Sequence, residues 1–163
     1  ISAMFILLVH TIEGIKLTIE SASNSVLADV CFDPDTKILL DNGDLVKMKD
    51  LELNSKLKNG SRVMSVMRIN NLNTDGEIRE DMYKINNGEN NEHIYVTGTH
   101  LVYDKTISEF VKVKNLKGEN PALLTNKKCS ELSCLITSDH TIPIGDWIFH
   151  DWEDNNGSES KTI

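Results

Sequence analysis

Four groups in this chain have side chains suited to covalent chemistry: Cys31, the run Thr97-Gly98-Thr99-His100, His140, and the pair His150-Asp151. Cys31 is preceded by Val30 and followed by Phe32-Asp33-Pro34-Asp35-Thr36. A cysteine thiol beside its own peptide bond can attack the preceding carbonyl and turn an amide into a thioester. The nucleophile is the thiolate, and a free thiol with a pKa of about 8.5 is mostly protonated at neutral pH. The step also exchanges a stable amide for a more reactive acyl group. It therefore needs a base for the thiol, a proton for the departing nitrogen, and strain or polarisation at the scissile amide. Histidine is the side chain suited to that proton traffic near neutral pH.

The elements that must position these groups are short strands. Ile15, Leu17 and Ile19 alternate with Lys16, Thr18 and Glu20, the period of a strand. Ser21 to Ser25 has a linker composition. Beyond Cys31, strands are expected over 36–40, 45–48, 62–69, 82–85, 93–97, 101–103, 109–113, 132–136 and 141–149. Asn42-Gly43 and Asn59-Gly60 supply turns, since both dipeptides accept positive φ. No sustained helical period occurs, so the expected class is all-β. Residues 1–30 read as the tail of an upstream domain, 31–154 as one domain, and 155–163 as a polar tail.

The body contains an internal repeat. Leu45-Val46-Lys47-Met48-Lys49-Asp50-Leu51 matches Phe110-Val111-Lys112-Val113-Lys114-Asn115-Leu116 position by position. The offset is too long for a solenoid unit and fits a duplicated β-domain with a pseudo-two-fold axis.

Composition narrows the function. With 163 residues and 39% hydrophobic content, one compact domain has a real core. The net charge of −8 comes with no local basic patch, which argues against nucleic-acid binding. The apolar run Met4 to Val9 is too short for a membrane span, which needs about 20 residues. Three cysteines, Cys31, Cys129 and Cys134, are too few for a disulfide scaffold. Cys129 and Cys134 can pair or stay reduced, and Cys31 is left free either way. A monomeric, cytoplasmic domain without a cofactor is the expectation.

The order and spacing of three segments resemble the Hint superfamily, the module shared by inteins, Hedgehog autoprocessing domains and bacterial intein-like domains. Cys31-Phe32 with Asp35-Thr36-Lys37-Ile38-Leu39-Leu40 is similar to its first block. Thr97-Gly98-Thr99-His100-Leu101-Val102 is similar to the second, and Ile136 to His140 through Phe149 to the last. The resemblance implies a two-fold β-horseshoe, in agreement with the repeat. It implies that Val30-Cys31 is the scissile bond and that the upstream polypeptide is the substrate. His100 would bond and protonate the amide nitrogen of that bond. Thr97 would orient the histidine or donate toward the oxyanion, and a second nucleophile would resolve the thioester.

The chain departs from the intein pattern at its last block. His150 fits the penultimate histidine, but Asp151 stands where an asparagine would cyclise, and Trp152 offers no nucleophile. An ionised carboxylate is a poor electrophile, so full splicing is not expected. The Hedgehog-type branch uses a further aspartate upstream of Thr-x-x-His, where this chain has Met67-Arg68-Ile69-Asn70, and Asp75 or Asp81 match only with a shift. Sterol transfer is thus unsupported. The expectation is amino-terminal autocleavage through a thioester resolved by water, a thiol or an amine. Three alternatives stand beside it. One is a degenerate Hint domain with a structural or interaction role. Another is a zinc site of Cys129, Cys134, His140 and His150, whose spacings suit zinc poorly. The last is a cysteine hydrolase acting in trans, disfavoured because a strand rather than a helix follows Cys31.

Overall fold

A computed structural model describes residues 4–11, 14–21 and 30–154. Thirteen strands are described: β1 (Met4–Thr11), β2 (Gly14–Ser21), β3 (Lys37–Leu39), β4 (Leu45–Lys47), β5 (Val63–Asn70), β6 (Met82–Ile85), β7 (Ile94–Thr97), β8 (Leu101–Asp104), β9 (Glu109–Lys112), β10 (Leu123–Leu124), β11 (Glu131–Thr137), β12 (Thr141–Ile144) and β13 (Trp147–His150). The only helical pieces among the described residues are four short 3-10 turns, so the chain is all-β. No described helix is long and apolar enough to cross a membrane.

Most strands fall where alternation and turn residues predict them. Asn42-Gly43 closes the β3–β4 hairpin with Gly43 at φ +94°, and Gly60 turns the chain before β5 at φ +90°. Glycine meets no Cβ penalty in that region. One expectation needs correction. Residues 141–149 are a hairpin rather than one strand, with β12 and β13 paired antiparallel across Gly145-Asp146. Gly145 sits at φ +56°, and a Cβ there would lie 1.9 Å from the Asn87 carbonyl oxygen, so only glycine fits the turn. The two-residue β10 carried no sequence signal.

The duplicated segment is duplicated in structure. In the first copy β3 pairs with β4 and a 3-10 turn follows at Met48–Asp50. In the second, β8 pairs with β9 and a 3-10 turn follows at Val113–Asn115. The Met48 N–H donates to the Thr36 carbonyl at 2.8 Å, and the Val113 N–H to the His100 carbonyl at 2.8 Å. Lys49 N–H meets the Pro34 carbonyl as Lys114 N–H meets that of Gly98. Met48 and Val113 are both fully buried anchors.

A third copy escaped the sequence comparison. β12 pairs with β13, a 3-10 turn follows at Trp152–Asp154, and the Asp151 N–H donates to the His140 carbonyl at 3.0 Å. The register agrees in all three, with Lys37 opposite Lys47, Leu101 opposite Lys112 and Thr141 opposite His150. Each hairpin is entered by a turn in which the fourth N–H returns to the first carbonyl. These pairs are Thr36 to Asp33, His100 to Thr97 and His140 to Thr137. Asp151 therefore occupies the place of the apolar anchors Met48 and Val113.

The core lies between these hairpins and the long β5–β11 ladder. Phe32, Ile38, Met48, Leu51, Met67, Met82, Leu132, Leu135 and Phe149 are all fully buried within it. Burying side chains of this size contributes roughly 1.5–3 kcal/mol each.

Candidate active site

Cys31 enters the fold through its backbone. Phe32, the next residue, bridges Val96 of β7 and Ser133 of β11, with Phe32 N–H to the Ser133 carbonyl and Ser133 N–H to the Phe32 carbonyl both at 2.8 Å. The Cys31 carbonyl accepts the Thr97 N–H at 2.9 Å, and the Cys31 N–H donates to Thr97 Oγ1 at 3.1 Å. Thr97 thus holds both polar groups of Cys31 in one orientation. Val30, Cys31 and Thr97 are all buried. A β-branched threonine at the end of β7 presents its hydroxyl from a stiff side chain, which suits it to this clamp.

His100 follows at the end of the same turn and is 1% exposed. Its ring lies 4.5 Å from the Phe32 ring and 5.7 Å from that of Phe149, centroid to centroid. Nε2 lies 2.7 Å from the His150 carbonyl oxygen. A carbonyl only accepts, so this nitrogen carries the proton. Nδ1 is buried without a hydrogen-bond partner among the described residues. Burial holds the His100 pKa down, to about 4, against the opposing pull of the His150 and Val30 backbones. The ring is neutral at pH 7, with a bare lone pair on Nδ1. A backbone contact with Val30, the residue whose carbonyl Cys31 would attack, raises the His100 pKa more weakly than the His150 contact does.

One hydrogen bond differs from what the resemblance implied. Thr97, not His100, takes the amide hydrogen of Cys31. The ring nitrogen that is bonded goes instead to the carbonyl of His150. His100 is therefore placed between the Val30-Cys31 junction and the last block.

The last block forms its own cluster. The Asp151 carboxylate is 0% exposed. Its Oδ2 accepts the Thr137 N–H at 3.0 Å and lies 2.9 Å from His140 Nδ1, while its Oδ1 accepts the Glu153 N–H at 3.0 Å. A buried carboxylate needs such donors to offset its lost hydration. His140 stands at φ +64°, and its ring stacks over His150 at 6.5 Å. Nδ1 of His140 also lies 3.3 Å from Glu153 Oε1. Thr137 and Glu153 were not foreseen as members of this cluster. The signal for Thr137 was present in the sequence, since Thr137-Ser138-Asp139-His140 is a second Thr-x-x-His.

The structure does not gather the four residues of the zinc alternative. Cys134 lies in β11 opposite Met67, Cys129 lies beside Asp33 and Lys127, and both thiols are free. Burial pushes the Cys129 thiol up to about 11, away from a metal-binding thiolate. Among the described residues, His140, Asp151 and Glu153 are the one group of three whose ligand atoms all lie within 4.8 Å of each other.

No family model and no curated protein matches the chain. Solved structures do. A DnaB intein from Synechocystis sp. PCC 6803 matches with a TM-score of 0.55 at 16% identity, covering 75% of this chain and 98% of that one. The bacterial intein-like domain from Clostridium thermocellum matches with a TM-score of 0.54 at 17% identity, covering 76% and 99%. The gp41-1 intein matches at 0.53 and 16% identity, covering 76% and 100%. At such identities the likeness speaks for fold, and it joins the duplicated hairpins and the all-β course described above. The chain has a Hint-type, intein-like fold.

Proposed function

We propose that this is a self-processing domain that cleaves its own chain at Val30-Cys31. The observation that carries the reading is the clamp on Cys31. Thr97 holds its N–H and its carbonyl, and the buried His100 ring stands beside the Val30 backbone. The Cys31 sulfur adds to the Val30 carbonyl carbon, with its proton passing to the bare Nδ1 of His100. The Val30-Cys31 C–N bond then breaks. The proton goes to the departing nitrogen, which becomes the α-amine of Cys31, and the Val30 acyl group remains on sulfur as a thioester. A protonated Nδ1 beside the Val30 backbone also stabilises the developing oxyanion. Water, a thiol or an amine then resolves the thioester, releasing the acyl half and the Cys31 thiol.

The carboxyl-terminal side supports no second step of similar efficiency. The Asp151 carboxylate is held by donors on both oxygens, and Trp152 brings no nucleophile. The likeness to inteins supports the chemistry at the first junction, and this chain's own residues argue against joining flanking segments. Intact-mass measurement of freshly made protein, with and without dithiothreitol, tests the reading. A thiol-accelerated split at Val30-Cys31 that disappears in Cys31→Ala is the expected result.

A structural role for the domain is the second reading, and one observation favours it. Cys31 is 0% exposed, so an outside nucleophile reaches it only if the junction opens. An intact chain under all thiol conditions would move the account there.

A further inference from the structure

The stretch upstream of the junction is built into the domain's own sheet. β2 lies parallel to β5, with Ile15 opposite Ser65 and Ile19 opposite Ile69, and β1 pairs antiparallel on its other side. One lateral row runs from Thr18 to Arg68, on to Ser133 and then to Phe32. β11 is antiparallel to both β5 and the Phe32 bridge, so the chain at Phe32 runs parallel to β2. The two are three strand spacings apart, roughly 14 Å. β2 ends at Ser21, and Phe32 bridges β11 of the same sheet. The bond proposed for scission lies one residue before that bridge.

We propose that the edge of β5 that carries β2 is a docking site for the upstream segment, and that the docked strand stays bound after the junction is cut. This rests on the reading that residues 1–30 are the acyl half of the reaction. The partner is an extended segment that adds a parallel strand. Its affinity comes from main-chain hydrogen bonds to the β5 backbone between Ser65 and Ile69. Breaking Val30-Cys31 removes one covalent link and leaves that ladder untouched. Without β2, the same stretch of β5 would be an open edge with unpaired N–H and carbonyl groups, a state that sheets avoid. While the thioester lasts, the covalent bond holds the acyl carbon on the Cys31 sulfur; once a nucleophile has resolved it, only the β2–β5 ladder holds the fragment on the body. The site would thus regulate release of the upstream segment independently of the chemistry at Cys31.

The test uses the full chain with Cys31→Ala, which removes self-cleavage, and with residues 23–28 replaced by a protease recognition sequence. After the protease cut, size-exclusion chromatography under native conditions with intact mass reads whether the amino-terminal fragment stays with the body. Co-elution is the expected result. Leu17→Pro with Thr18→Pro, which removes ladder donors in the middle of β2, should weaken retention at least about tenfold. Amide exchange at residues 65–69 should accelerate in that variant, while exchange in β11 stays slow. If the variant disturbs β11 as well, exchange of the bound fragment for an added isotope-labelled peptide of residues 1–21 takes its place. Saturable exchange supports docking. Prompt loss of the fragment from the cut chain, or a labelled peptide that never binds, overturns the proposal. Because Cys31 is absent from this experiment, its failure says nothing against cleavage. A chain that retains the fragment but never splits with thiol would instead leave docking in place and remove the cleavage reading.

Discussion

Two turns with the same Thr-x-x-His pattern serve the two ends of the domain, and they differ in what anchors them. At Thr97–His100 the carbonyl of the histidine meets the N–H of Val113, an apolar residue sunk in the core. The His100 ring turns inward, is stripped of water and is held neutral. At Thr137–His140 the anchor is Asp151, whose carboxylate reaches back to the Thr137 N–H and the His140 ring. The His140 side chain is 22% exposed. One backbone frame thus supports a fully buried neutral histidine at one turn and a partly exposed histidine on a buried carboxylate at the other. The residue at the anchor position, more than the turn itself, sets the surroundings of the histidine. The first copy shows the frame without a histidine, since Thr36 stands in its place and its hydroxyl donates to the Asp33 carbonyl at 2.6 Å.

Substitutions at matched positions should break this contrast unequally. His100→Ala should slow thiol-induced cleavage at Val30-Cys31 by about a hundredfold or more, while His140→Ala leaves that rate nearly unchanged. Rates of fragment appearance by mass spectrometry compare the two directly. The pH dependence of stability should carry the mark of His100 as well. Its pKa is about 4 in the folded chain and about 6.5 when unfolded, so the unfolded chain takes up the proton first as pH falls. The stability this neutral ring contributes is complete above pH 6.5 and declines toward pH 4, by about 3 kcal/mol. Urea denaturation between pH 4 and 7 should show that decline flattened in His100→Phe.

Asp151→Ala should cost about 2–3 kcal/mol, because it leaves the buried N–H of Thr137 unpaired and removes the acceptor of the Glu153 N–H. It should leave the amino-terminal step largely intact. Asp151→Asn sharpens the contrast. It keeps an acceptor oxygen and restores an amide side chain able to cyclise, so scission after residue 151 should become detectable by mass. The smallest effect expected is that of Thr97→Val, which removes the acceptor of the Cys31 N–H. Stability should fall by about 1 kcal/mol, and cleavage should slow by about tenfold as the junction loses its fixed orientation.

Much of this was legible in residue types. Alternation and Asn-Gly turns placed most strands, because those signals are local. The repeat of Leu45–Leu51 in Phe110–Leu116 was visible because both copies keep an apolar anchor between two lysines. The third copy was hidden for a physical reason. In Ile148-Phe149-His150-Asp151-Trp152 a carboxylate replaces the apolar anchor, and histidine and tryptophan replace the lysines. Hydrogen bonding across the turn preserves the frame even though the sequence pattern is gone. The pairing of Thr97 with the Cys31 amide, and of His100 with the His150 carbonyl, could not be read from spacing. Both depend on how β7, β8 and β13 meet. The docking of β2 on β5 was equally out of reach, since alternation announces a strand and leaves its neighbour unspecified.

The most direct test of the central claim is intact-mass analysis of the freshly made chain with and without dithiothreitol, beside Cys31→Ala. The account predicts two fragments divided between Val30 and Cys31, formed faster with thiol and absent from the variant. Cleavage at the same bond in Cys31→Ala, or a chain that stays whole at every thiol concentration, would contradict it.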